Sequence, residues 1–185
     1  MSSTESLRRD HELIERILRA LTVTAEMLQD GRTVPSPILN QVIDFTKNFM
    51  LMCHHSKEED ALFPTLETHG MPREGGPIAR MLLEHKIAKE LAGNLEASAI
   101  KYIQSNDAVD LIRDIKTYVE HVSSHLMKEN LRLFVMADMI LKACSEKVDR
   151  ELAASESSKL GELGRTRSHY EELVSKIESE IVAPR

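Results

Sequence analysis

The chain is short of turn-formers, with seven glycines and six prolines in 185 residues, and it has no tryptophan. So little glycine and proline argues against a turn-rich fold and for helices joined by few loops. Cys53 and Cys144 are too few and too far apart for a disulfide scaffold or a thiolate zinc site. No apolar run reaches the roughly 18 residues that a membrane span requires. The opening "MSSTESLRRDHE" is polar, unlike a signal peptide. Long basic runs are missing and the formal charge is −6, which argues against nucleic acid or an anionic membrane as a partner. The expected location is the cytoplasm.

What remains is ordinary for a folded protein, 42% hydrophobic and 29% charged, and the length fits one domain with a substantial core. Four amphipathic segments stand out. The first runs from near Thr4 to about Leu28, with Leu7, Ile14, Leu18, Leu21 and Ala25 on one stripe. The second opens with Ser36 as N-cap and Pro37 at the first helical position, and Pro64 is expected to end or kink it. The third spans about Ile78 to Gln104, and the fourth about Ala108 to Cys144. Short loops make successive helices antiparallel, so the fold class is all-α, an up-down-up-down four-helix bundle over residues 1–146. Residues 147–185 read as a polar linker and a peripheral fifth helix, from roughly Ser158 to Val182, lying on or beside the bundle.

One run interrupts this plain pattern. "CHHSKEEDALFP", residues 53–64, gathers two histidines, two glutamates and an aspartate. It is either a solvated charged face or a metal site. At about 100° per residue, Glu58 lies near 40° from His54, with Ala61, Ile43 and Met50 close by, so His54 and Glu58 share the apolar stripe. His55 and Glu59 fall near 100° and 140° and read as flank or solvent positions. Lys47, near the angle of His54, must lie beyond the site or snorkel. In "HVSSHLMKEN", His125 and Glu129 repeat the one-turn spacing on the face of Leu111, Val122 and Met136. His11 and His85 lie on the apolar stripes of the first and third helices. Counted from the turns, His11 lies level with His54 and Glu58, and His85 with His125. All six groups converge on one layer, and burying them without a cation would carry a large desolvation cost.

The stretches "RRDHELIERIL", "HHSKEEDALFP", "LLEHKIAKEL" and "HLMKENLRLFVMA" resemble the four helix signatures of the hemerythrin-like, or HHE cation-binding, domain, over about residues 5–140. The resemblance implies a bundle holding two iron ions, a non-haem, oxo- or hydroxo-bridged pair. His11, His54, Glu58, His85, His125 and Glu129 would be the ligands, with both carboxylates bridging. Manganese or zinc are the alternative metals. The implied partner is a small diatomic or peroxide ligand. The sequence departs from the family's oxygen carriers, with Lys89 where they place a second histidine and Glu129 where they place an aspartate. These departures weigh against reversible oxygen carriage. The set is more similar to members with four histidines and two glutamates, which are linked to iron-centre repair, nitric oxide or peroxide chemistry. The repair proteins carry a Cys-containing N-terminal domain that has no counterpart here. A fifth ligand would have to be His121, His55 or Glu15. Cys53 reads as a packed thiol. Two rival readings stand beside this one: a sensor or iron-binding module without turnover, whose fifth helix signals to a protein partner, and a metal-free helical interaction domain.

Overall fold

The computed structural model describes residues 2–181, so the expected helix end at Val182 lies outside the described residues. Within them there are six long helices and no strand. They are α1 (Glu5–Gln29), α2 (36–68), α3 (Pro77–Ser105), α4 (109–140), α5 (Ser145–Glu162) and α6 (Arg167–Glu180). Helices α1 to α4 form an up-down-up-down bundle in which each packs against its chain neighbours and α4 returns to α1. No helix among the described residues is long and apolar enough to cross a membrane.

The stripes read from the sequence become the core. Leu7, Ile14, Leu18, Leu21 and Ala25 of α1 are buried, as are Leu111, Ile115, Val122, Leu126 and Leu133 of α4. Pro77 opens α3 at a first-turn position, where its missing amide is no loss. Asn106 closes the same helix in the left-handed conformation (φ 58°), and its amide donates to the Tyr102 carbonyl at 2.8 Å.

Three boundaries differ from expectation. Ser36 is the first helical residue rather than the cap; Pro35 takes that place with an extended ψ of 137°. Pro64 does not end α2, which continues to Thr68. It sits in the first turn of α-helix that follows a wide, π-type turn at Glu58–Leu62. There the bonding register shifts from i+5 back to i+4, and a missing amide costs least. Helix α4 stops at Ile140 rather than Cys144, and a single 3-10 turn, Lys142–Cys144, leads into α5.

The tail differs more. Residues 145–180 make two helices instead of a linker and one helix. Both pack on α1 and α2, and α6 buries Tyr170, Val174 and Ile177 completely. Tyr170 joins Phe45 and Phe49 in an aromatic cluster, with ring centroids 6.0 and 5.3 Å away. Aromatic cores of this kind contribute about 3–5 kcal/mol per truncated ring. Tyr170→Ala should therefore lower the unfolding free energy by about that amount in denaturant titrations. A loss within about 0.5 kcal/mol would place α6 outside the core.

Candidate metal centre

The bundle has two apolar clusters, and a polar layer lies between them on every helix. On α1, Leu7 belongs to one cluster and Leu13 to the other, with His11 between. On α2, His54 and Glu58 lie between Cys53 and Ala61. On α3, His85 lies between Met81 and Ala92. On α4, His125 and Glu129 lie between Val122 and Leu133. None of the six side-chain-bearing residues is more than 4% exposed. Wide π-type turns mark the layer: Phe45–His55 ends at it, and Glu58–Leu62 and Glu129–Leu133 each begin with one of its glutamates.

The six groups face one another. His11 Nε2 lies 3.2 Å from His54 Nε2 and 3.2 Å from a Glu129 oxygen. His85 Nε2 is 3.2 Å from Glu58, and His125 Nε2 is 3.2 Å from Glu129. These approaches are close, yet both oxygens of Glu58, both of Glu129, and Nε2 of His85 and His125 have no aligned hydrogen-bond partner. Buried groups left in this way call for a ligand between them. They divide into two sets of mutually close donors: His11, His54, Glu58 and Glu129, and Glu58, His85, His125 and Glu129. The two carboxylates belong to both sets.

The outward nitrogens are all occupied. His11 Nδ1–H donates to Asn130 (2.9 Å), His54 to Asp10 (3.2 Å), His85 to Glu59 (2.7 Å) and His125 to Glu84 (3.1 Å). With the proton on Nδ1, each ring turns the Nε2 lone pair inward, the tautomer that a metal requires. Each supporting residue neighbours an inward group in sequence: Asp10 precedes His11, Glu59 follows Glu58, Glu84 precedes His85 and Asn130 follows Glu129. Each also lies on the helix before the histidine it holds, with α4 holding α1, so the four bonds close a ring around the bundle.

The supports are themselves fixed by charge. Asp10 receives Lys57 Nζ at 2.8 Å and Arg167 of α6 at 2.6 Å, and Lys57, fully buried, also reaches Glu156 of α5 at 2.6 Å. Burial alone would raise the Asp10 carboxyl, but His54 and Lys57 hold it far below the usual carboxylate range. Burial would likewise lower Lys57, yet Asp10 and Glu156 raise it. Glu84 is held low by His125, against burial, with Arg80 and Lys128 at 2.7 Å each. At the centre, burial opposes the protonation of His85, but Glu129, Glu58 and Glu59 push it up to about 11.

All six residues singled out in the sequence meet in this layer. Helical geometry at 100° per residue failed for their neighbour. His55, the last residue of the wide turn Phe45–His55, is buried rather than on the flank, because α3 packs over it. It stacks on His85, with centroids 3.7 Å apart and planes 7° from parallel. Glu59 is exposed, as expected, but reaches back to His85. His121 donates through Nε2 to the Glu84 carbonyl at 2.9 Å and so turns away from the centre, and Glu15 is exposed. Lys47 snorkels to Glu96 at 2.9 Å. Cys53 is packed, and its thiol is pushed up to about 12, first by burial. Asp10, Glu84 and Asn130 went unnoticed in the sequence, although each adjoins an inward residue.

Comparison with known proteins agrees with this geometry. Residues 2–137 match the family described as "Hemerythrin HHE cation binding domain". Uncharacterised proteins of Mycobacterium bovis and of two strains of Mycobacterium tuberculosis are 24% identical over 184 residues, covering 96% of this chain and 68% of theirs. No solved structure matches.

The ring of outer bonds has a measurable consequence. Removing such a partner lowers metal affinity by about 10–100-fold in comparable sites. Asp10→Ala should weaken divalent-metal binding within that range in a calorimetric titration. Unchanged affinity would show that His54 does not depend on Asp10.

Proposed function

The chain belongs to the hemerythrin HHE cation-binding family, and from that premise we propose that it holds two iron ions and reacts with a small diatomic or peroxide ligand. His11, His54, Glu58, His85, His125 and Glu129 are the proposed ligands. One observation carries the reading: the two donor sets share Glu58 and Glu129. A single mononuclear site would not use two carboxylates in both halves, whereas a metal pair bridged by them would. Two imidazoles and both carboxylates would then be available to hold each metal. Mixed nitrogen and oxygen donors suit iron or manganese, and zinc can compete for them.

When bound, an iron pair supplies one-electron redox chemistry and open positions for a small ligand. The protein's own residues do the rest. Asn130, Asp10, Glu59 and Glu84 keep the four rings in the metal-binding tautomer. The apolar clusters on either side keep bulk water from the layer.

A sensor without turnover is a second reading, and Arg167 favours it. This residue belongs to α6, outside the region matched by the family, yet it bonds Asp10, which holds His54. A change at the metal thus has a direct route to the tail.

Metal analysis tests the assignment. His54→Ala and His125→Ala should each retain well below two irons per chain. His69→Ala, at an exposed position, and His169→Ala, half-buried on α6 outside the polar layer, should keep both. Four variants with full iron would overturn the ligand set. The four-ligand symmetry of the pair, with Lys89 exposed rather than inward, leads to one more outcome. Reduced protein exposed to air should oxidise in one pass, and evacuation should not restore the reduced spectrum. Repeated recovery over many cycles would point to a carrier.

A further inference from the structure

A cleft of about 640 Å³ opens between α2 and α3, and its floor is the stacked pair of His55 and His85. Here the polar layer meets a cavity, through His85 and its neighbour His55. Two features of it have no role in holding the metal pair. His55 is 4% exposed, and its Nε2 has no partner. Lys86 and Lys89, on the wall, are exposed and make no ion pair among the described residues, whereas Lys47 is neutralised by Glu96 and Glu59 is engaged by His85.

His55 is close enough to be mistaken for a ligand. One ring nitrogen from each of His55, His85 and His125 lies within 4.8 Å of the others. Stacking argues otherwise. Rings that are 7° from parallel and 3.7 Å apart send their lone pairs side by side, not to a common point. A metal lying in the plane of His85 would sit well off the plane of His55. The imidazole therefore stands next to the metal position with a free nitrogen, at the inner end of a cleft whose unpaired charge is positive. A buried ring nitrogen needs a partner, and a small ligand that enters by the cleft His55 lines, and then binds beside it, would supply one.

We infer that the cleft between α2 and α3 admits a small monoanion, and that His55 is the side chain that hydrogen-bonds it beside the His85–His125 metal. The inference rests on the di-iron reading above. Lys86 and Lys89 raise the local concentration of the anion, an effect that falls with added salt. His55 then selects ligands that can accept or donate a hydrogen bond while bound to the metal, such as azide, nitrite or hydroperoxide, over those that cannot.

Azide is the probe. Iron-loaded wild type, His55→Phe, His55→Asn and the double variant Lys86→Glu/Lys89→Glu would be compared by iron content, by azide titration in the visible spectrum, and by stopped-flow azide association. His55→Phe keeps the stacking on His85 and removes both nitrogens. It should retain wild-type iron while its azide Kd rises about tenfold or more, the loss expected for a hydrogen bond to a charged ligand. His55→Asn, smaller and still polar, should recover part of that loss, and gives the same comparison should the bulkier ring misfold. The lysine reversal should slow association severalfold at low salt and leave it unchanged at high salt. Loss of iron from His55→Phe or His55→Asn with helicity intact would make His55 a ligand and overturn the inference. Full iron with an unchanged azide Kd would overturn it as well. Failure of the wild type to hold iron would instead remove the di-iron reading itself, an outcome distinct from both.

Discussion

Four imidazoles and two carboxylates cannot share one buried layer unless every outward-facing polar atom is satisfied. That constraint shapes the rest of the molecule. The bonds from Nδ1 of His11, His54, His85 and His125 run to the helix before each, so the ring they form ties four helices at one height. Sliding any helix by one turn would break two of these bonds at once, and would expose a carboxylate of the layer to apolar neighbours. The apolar clusters above and below hold the bundle together without specifying register; the polar layer specifies it.

The wide turns serve the same constraint. A helix turns successive residues by about 100°, so His54 and His55 meet different neighbours: His54 faces His11 and Asp10 of α1, and His55 the ring of His85 on α3. The π-type stretch Phe45–His55 ends at this pair, and those at Glu58–Leu62 and Glu129–Leu133 begin with the carboxylates that face the rings of neighbouring helices. Such turns are less favourable than α-helix and persist where surrounding packing demands them.

The bundle and its six inward groups were legible because their signal is local and periodic. Leu7, Ile14 and Leu18 place His11 on a stripe, and counting from the turns fixes its height. What was illegible needed contacts between distant segments or a departure from uniform pitch. Asp10 and Glu84 look like solvated charges on a helix; only the facing His54 and His125 reveal their task. His55 was misplaced because the ring that covers it, His85, lies on another helix. Of the tail, the helix that includes α6 was expected, whereas α5 escaped because its apolar positions are sparse: Val148, Leu152 and Leu160 lie in a polar run, and they read as core only against α1 and α2. The expected flank position of Glu59 was right about exposure and silent about its reach to His85.

Lys57 and Arg167 carry one more consequence. Both grip Asp10, and through it His54, while Lys57 also holds Glu156 of α5. On the sensor reading, docking of the tail and filling of the layer would therefore be linked equilibria. Whatever factor a docked tail adds to the affinity of the layer for a cation, a bound cation must add to the affinity of the tail for the bundle. On that reading the two helices beyond the family's boundary would be a readout written in free energy, and its direction could be run either way.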